Sequence, residues 1–144
     1  MIYSKKEIMA AAKKKITKAK GRKNAKRNVL TPIGIYKLWK KQDGRCALTN
    51  FALSTVEGTF PAKCKRPNGQ NFNEFGFAID RIDSDKGYTY DNVQLLTNTA
   101  NQMKGSYEQE HILTHAAAMY ATSMGLTNNK KLFDDVTQEY EERV

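Results

Sequence analysis

The sequence predicts a small α+β domain in which a two-stranded hairpin and a short helix form the centre and longer helices flank them. Three observations lead there. Two short apolar runs, Phe75 to Asp80 and Asn92 to Leu96, bracket a polar connection with Gly87 as a turn residue, as in a hairpin with a long loop. A short polar segment ending in Asn101, Lys104 and Gly105 follows at once, and reads as one small helix packed across that hairpin. Cap residues and apolar spacing mark further helices on both sides. At 144 residues the chain is one domain's worth, long enough to bury a single modest core.

From the N-terminus, residues 1–27 hold eleven Lys and Arg against one acid, Glu7. Self-repulsion predicts a frayed helix around Ile8 to Ala19 and a flexible stretch from Gly21 to Asn28, so that residues 1–30 form a basic arm ordered by phosphates. Thr31 as cap and Pro32 at the first helical position start the next helix, Gly44 stops it, and Ile35, Leu38 and Trp39 share one face. Arg45 to Asn50 reads as a short strand and turn, and Ser54 to Asn73 as an irregular excursion. Ser106 and Gln109 fit a capping box for a helix through His111, Ile112, Leu113, Ala116 and Tyr120, with Gly125 as its stop. The folded domain is therefore expected at 31–125. Asp134, Asp135, Glu139, Glu141 and Glu142 make 126–144 an acidic tail, able to compete weakly with phosphate for the basic arm.

Composition narrows the function classes. No apolar run is long enough to cross a bilayer, and the lysines after Met1-Ile2-Tyr3-Ser4 leave no room for the apolar core of a signal peptide, so a soluble, cytoplasmic protein is expected. Cys46 and Cys64 are too few for a disulfide framework or a four-ligand structural zinc. A net charge of +9 points to a polyanion. Lys13, Lys14, Lys15, Lys18, Lys20, Arg22, Lys23, Lys26 and Arg27 are the candidate DNA contacts, working through phosphates with weak sequence preference and steep salt dependence.

The hairpin carries the chemistry. Asp80 ends the first strand, Asn92 opens the second, and Asn101 lies on the helix that follows. A carboxylate and a carboxamide oxygen are hard donors of the kind Mg²⁺ accepts while keeping waters and taking substrate phosphate oxygens. Asp83-Ser84-Asp85 is also ordinary turn chemistry. Tyr88 and Tyr90 read as structural aromatics at a strand entry. His111 and His115 share a helix face, but no third ligand accompanies them.

The stretch Asp80-Arg81-Ile82-Asp83, followed by Gly87-Tyr88, Asn92-Val93 and Asn101-Gln102-Met103-Lys104, resembles the ββα-metal core of the HNH endonuclease family, in the branch that opens on Asp-Arg-Ile-Asp. The lead-in from Trp39 through Gly44-Arg45-Cys46 to Asn50 is similar too, so the likeness spans about Thr31 to Ser106. It implies a ββα-metal fold in which Asp80 and Asn101 hold one Mg²⁺ or Mn²⁺, Asn92 ties the loop by hydrogen bonding, and Lys104 contacts phosphate.

Arg81 stands where the family carries its general-base His, and a guanidinium that stays protonated clamps phosphate but takes no proton from water. A related group of nonspecific nucleases places its base three residues past the Asp, here at Asp83, which becomes the expected water-activating residue, with His111 or His115 as substitutes. Two Cys-x-x-Cys pairs that hold zinc in many relatives are reduced here to Cys46 with Thr49 and Thr97 with Ala100, so no structural zinc is expected. The resemblance thus implies a metal-dependent endonuclease on double-stranded DNA, a homodimer if both strands are cut. The rival is a module that kept the fold for nucleic-acid binding, protein binding or inhibition. Small proteins of this kind with basic arms resemble those of bacteriophages, which implies the host cytoplasm.

Overall fold

The computed structural model describes residues 2–21, 27–56 and 73–126. It is an α+β fold with the order α1 (Lys5–Lys20), α2 (Pro32–Lys41), β1 (Phe77–Arg81), β2 (Val93–Thr97), α3 (Asn98–Lys104) and α4 (Gln109–Ser123). Most of the excursion expected at 54–73, with Cys64, and the acidic tail beyond Leu126 lie outside the described residues.

The N-terminal segment differs most from expectation. Ser4 caps α1 in a reciprocal box: its hydroxyl accepts from the Glu7 amide at 3.3 Å while the Glu7 carboxylate accepts from the Ser4 amide at 2.7 Å. The Ser4 hydroxyl also donates to the Glu7 carboxylate at 2.7 Å, and this bond first, then the one from the Ser4 amide, holds the Glu7 carboxyl below its ordinary pKa. Ile8, Ala11, Ala12, Ile16 and Ala19 recur at helical spacing and are all buried in the same core as Trp39 and Phe77. Burying the two isoleucines alone contributes about 3–6 kcal/mol. The basic segment up to Gly21 is therefore part of the folded unit, not an appended frayed arm. Of the flexible stretch expected at Gly21 to Asn28, residues 22–26 lie outside the described residues.

α2 starts and stops where local chemistry dictates. Thr31 accepts from the Gly34 amide at 3.2 Å, Pro32 fills the first turn, and Asp43 and Gly44, both at positive φ, turn the chain back. Trp39 is 2% exposed and meets both Tyr3 and Phe77 edge to face, joining α1, α2 and the hairpin. The Tyr90 hydroxyl accepts from the Thr31 amide at 2.9 Å, and its ring lies directly over Gly34.

β1 and β2 pair antiparallel with Phe77 opposite Thr97, Ile79 opposite Leu95 and Asp80 opposite Gln94. The strands begin and end one or two residues later than the apolar runs suggest. Every residue of β2 is buried, because Trp39 packs on the Phe77 face while α3 covers the other. Both outer edges are closed as well. The Gln42 carboxamide accepts from the Leu95 amide and donates to the Leu95 carbonyl, each at 2.9 Å, like a neighbouring strand. On the other side Phe77 donates to the Ser54 carbonyl at 3.0 Å.

Gly87 has a role other than the one expected. It does not adopt positive φ; instead the Arg27 carbonyl passes so close that a Cβ would sit 2.5 Å from it. Residues 27–29 bond to Tyr88 at 2.7 and 3.1 Å and tether the loop. The capping box expected at Ser106 and Gln109 is absent: Glu108 occupies the cap of α4 and makes no side-chain bond. Gly125, at positive φ, follows the end of α4 as expected.

The chain divides into two compact units, Met1–Ser106 and Tyr107–Val144. Neither the separation of residues 1–30 nor the inclusion of α4 in the central domain matches that division. α4 buries none of its residues. Among the described residues no helix is long and apolar enough to cross a membrane.

Replacing Gly34 by Ala puts a methyl group 1.8 Å from the Tyr90 hydroxyl oxygen. Overpacking of this kind typically costs 1–3 kcal/mol, so urea denaturation of Gly34→Ala is expected to show a lower midpoint with an unchanged slope.

Candidate functional site

Asp80, Arg81, Asn92, Asn101 and Lys104 all belong to the unit β1–loop–β2–α3. Asp80 lies near the end of β1, and strand alternation places its side chain with that of Gln94 on the α3 face. It is 6% exposed, and a carboxylate this deep requires partners. Gln94 Nε2 donates to Oδ2 at 2.9 Å, and Lys104 Nζ donates to Oδ1 at 3.2 Å.

Lys104 is the most informative departure from expectation. Its side chain is fully buried, and the ammonium also donates to the Arg81 carbonyl at 2.9 Å. A phosphate contact requires a cation at the surface, so that assignment does not hold for this conformation. Lys104 acts instead as counter-ion to Asp80 and ties the last turn of α3 to the end of β1.

Asn101 sits one turn before Lys104 on α3 and so faces the same side. It is half-buried, and its carboxamide makes no hydrogen bond with another described residue. The side chain is therefore available as an oxygen donor.

Asn92 ties the loop. Buried to 5% exposure, it accepts from the Asp83 amide at 2.9 Å and donates to the carbonyls of Asp83 at 3.0 Å and Gly87 at 2.9 Å. These three bonds to the main chain of Asp83 and Gly87 use both N–H groups and the oxygen of the carboxamide, which is what fixes the long connection in one shape.

Asp83 is committed to that loop. Oδ1 accepts from the Asp85 amide at 2.9 Å, and Oδ2 pairs with Lys86 at 3.2 Å. The expectation of a free water-activating carboxylate gives way to the turn-forming reading that the Asp-Ser-Asp composition also allowed. Arg81 is held too: it donates from Nη1 to the Lys86 carbonyl at 3.1 Å, and its guanidinium lies 5.1 Å from the Tyr88 ring centre. Its remaining N–H groups are enough for one bidentate phosphate contact.

His111 and His115 belong to the second unit, where their exposed rings lie 4.3 Å apart and Tyr107 stacks on His111. Cys46 is buried. Burial pushes its thiol up, while hydrogen bonds from the Thr49 side chain and from the backbone of Thr97, Leu48 and Thr49 outweigh that and leave it below the ordinary cysteine value.

The basic residues divide. Lys13, Lys14, Lys18, Lys20 and Arg27 are exposed; Lys15 is half-buried and leans over Phe77 with its ammonium 4.9 Å from the ring centre. Arg22, Lys23 and Lys26 lie outside the described residues. α2 adds Lys37, Lys40 and Lys41, all exposed and spaced to share one face. Their shared face is not evident in the sequence, where three lysines among apolar residues stand out less than the denser run before them.

Among the described residues no three His, Cys, Asp or Glu side chains gather around one point. Asp80 offers one carboxylate, already engaged by Lys104 and Gln94, and Asn101 one carboxamide on the α3 side that faces it.

Breaking a buried pair from one side typically costs 3–5 kcal/mol, whereas replacing both members by apolar residues is near neutral. Asp80→Leu and Lys104→Met are each expected to lose about that much in urea denaturation, and the double variant to lose clearly less than their sum. No family model matches the chain, and no curated protein or solved structure matches it either.

Proposed function

We propose that the protein is a divalent-metal-dependent endonuclease of HNH type acting on DNA. The observation that carries this reading is the placement of Asp80, Asn92 and Asn101 on one strand–loop–strand–helix unit, with Asn92 wholly engaged in holding the loop. In this reading Asp80 and Asn101 hold one Mg²⁺ or Mn²⁺. A bound ion supplies charge stabilisation at the leaving oxygen and acidifies a water that it carries. Arg81 neutralises the scissile phosphate with the N–H groups left free by Lys86 and Tyr88. Asn92 keeps the loop, and with it Arg81, in register. Asp83 holds the turn.

The lysines of α1 and α2 supply affinity. α1 is a packed helix whose outward side carries Lys13, Lys14, Lys18 and Lys20, so its phosphate contacts start from a fixed scaffold. Double-stranded DNA is the proposed substrate, and a homodimer serves cleavage of both strands. The resemblance to small phage proteins favours a host cell's cytoplasm as its place of action.

A second reading has its own support: the Asp80 carboxylate already carries a cation in Lys104, and Arg81 stands in place of a base. A binding module of the same fold would keep both features and cut nothing.

Incubation with supercoiled plasmid separates the two. Nicking is expected with Mg²⁺ or Mn²⁺, absent with EDTA, and lost in Asn101→Ala, which leaves the buried ion pair intact and is expected to melt like the unaltered protein. DNA retention without cleavage in any metal would favour the binding module.

Salt tests the lysine surface. Converting Lys13, Lys14, Lys18 and Lys20 to Ala is expected to flatten the plot of log affinity against log salt by roughly 0.9 for each phosphate contact removed, measured by fluorescence anisotropy on duplex DNA.

A further inference from the structure

Asp80 is proposed above as a metal ligand, yet the group beside its Oδ1 is an ammonium. Lys104 Nζ stands 3.2 Å from Oδ1 with no exposed surface, and it also donates to the Arg81 carbonyl at 2.9 Å. Gln94 holds the other oxygen at 2.9 Å. A divalent ion and an ammonium bound side by side on one carboxylate would repel each other strongly in this low-dielectric setting. One has to yield.

We propose that Lys104 is the resident cation of Asp80, and that a divalent ion binds Asp80 only by displacing the Lys104 ammonium. The inference rests on the reading of Asp80 and Asn101 as the metal ligands. Lys104 is the last residue of α3, followed by Gly105 at positive φ, so the ammonium hangs from a helix end. Its withdrawal requires movement of that last turn and of the side chain, while β1 and β2 stay paired. The free protein therefore keeps the buried carboxylate neutralised without metal, binds divalent ions weakly, and moves the end of α3 when it takes one up. Lys104 is a positioning residue here: it acts on the metal site through Asp80.

The test uses the full chain without DNA. Mn²⁺ is titrated into the protein while the electron paramagnetic resonance signal of free Mn²⁺ is followed. Lys104→Met is expected to bind Mn²⁺ about tenfold more tightly or better, since removal of a like charge at contact distance is worth at least that factor. Lys104→Met/Asp80→Asn is expected to lose the gain. A second measurement needs no variant. Acetic anhydride labelling of Lys104, read by mass spectrometry, is expected to be slow in EDTA, as befits a buried amine, and several-fold faster at saturating Mn²⁺.

A Lys104 labelling rate that Mn²⁺ leaves unchanged overturns the proposal, whether or not Lys104→Met folds. A folded Lys104→Met that binds no more tightly than the unaltered protein overturns it as well, and if the unaltered protein does bind Mn²⁺ the metal reading stands. Mn²⁺ binding by neither protein overturns this proposal and the metal reading together.

Discussion

A two-stranded hairpin cannot stand alone in water, and the fold is organised around that constraint. Two strands of five residues leave both edges unpaired and both faces bare. The protein closes all four sides. α2 and α1 cover one face through Trp39, and α3 covers the other through Ala100 and Lys104. Gln42 completes one edge with its carboxamide, and the segment at Ser54 completes the other. Carboxamides recur in this work because each offers a donor and an acceptor at the spacing of a peptide unit. Asn73 accepts from the amides of Phe75 and Gly76 and donates to the Val56 carbonyl; Asn98 donates to the Asn73 carbonyl; Asn92 does the equivalent in the loop.

What was legible in the sequence was local. Thr31, Pro32 and Gly44 delimit α2 because capping and positive φ depend on a few adjacent residues, and the strand–loop–strand–helix order follows from short apolar runs. α1 shows the opposite case. Its stripe of Ile8, Ala11, Ala12, Ile16 and Ala19 is regular, but three of its five members are alanines, and eleven neighbouring charges outweigh them in any reading by composition. The bonds of Gln42 to Leu95 and of Asn73 to Val56 were not legible, because those partners are main-chain atoms brought up by tertiary contact. Gly87 was read through the commonest use of glycine, when the chain needed the absence of a Cβ beside Arg27.

The candidate site was legible as a set of residues and not as an arrangement. Spacing placed Asp80, Asn92, Asn101 and Lys104 on one unit. It gave no sign that Lys104 turns inward, since a lysine at the end of a polar helix is ordinarily solvated and burial of its charge is tolerated only beside a partner such as Asp80. The Asp83 turn shows a related ambiguity: a carboxylate in a loop can take a proton or hold its own backbone, and only the Asp85 amide and Lys86 decide between them.

The interleaving of α1 with the hairpin bears on how the chain is made. Tyr3 bonds to Ser54, 51 positions later, and Thr31 to Tyr90, 59 positions later. During synthesis, at about 5–20 residues per second, the first helix therefore emerges seconds before the strands that complete its burial. Its apolar stripe waits in solvent through that interval. The flanking lysines carry like charge on either side of that stripe, so nascent chains repel one another until β1 and β2 arrive, which is the placing by which charges keep an exposed apolar segment from associating.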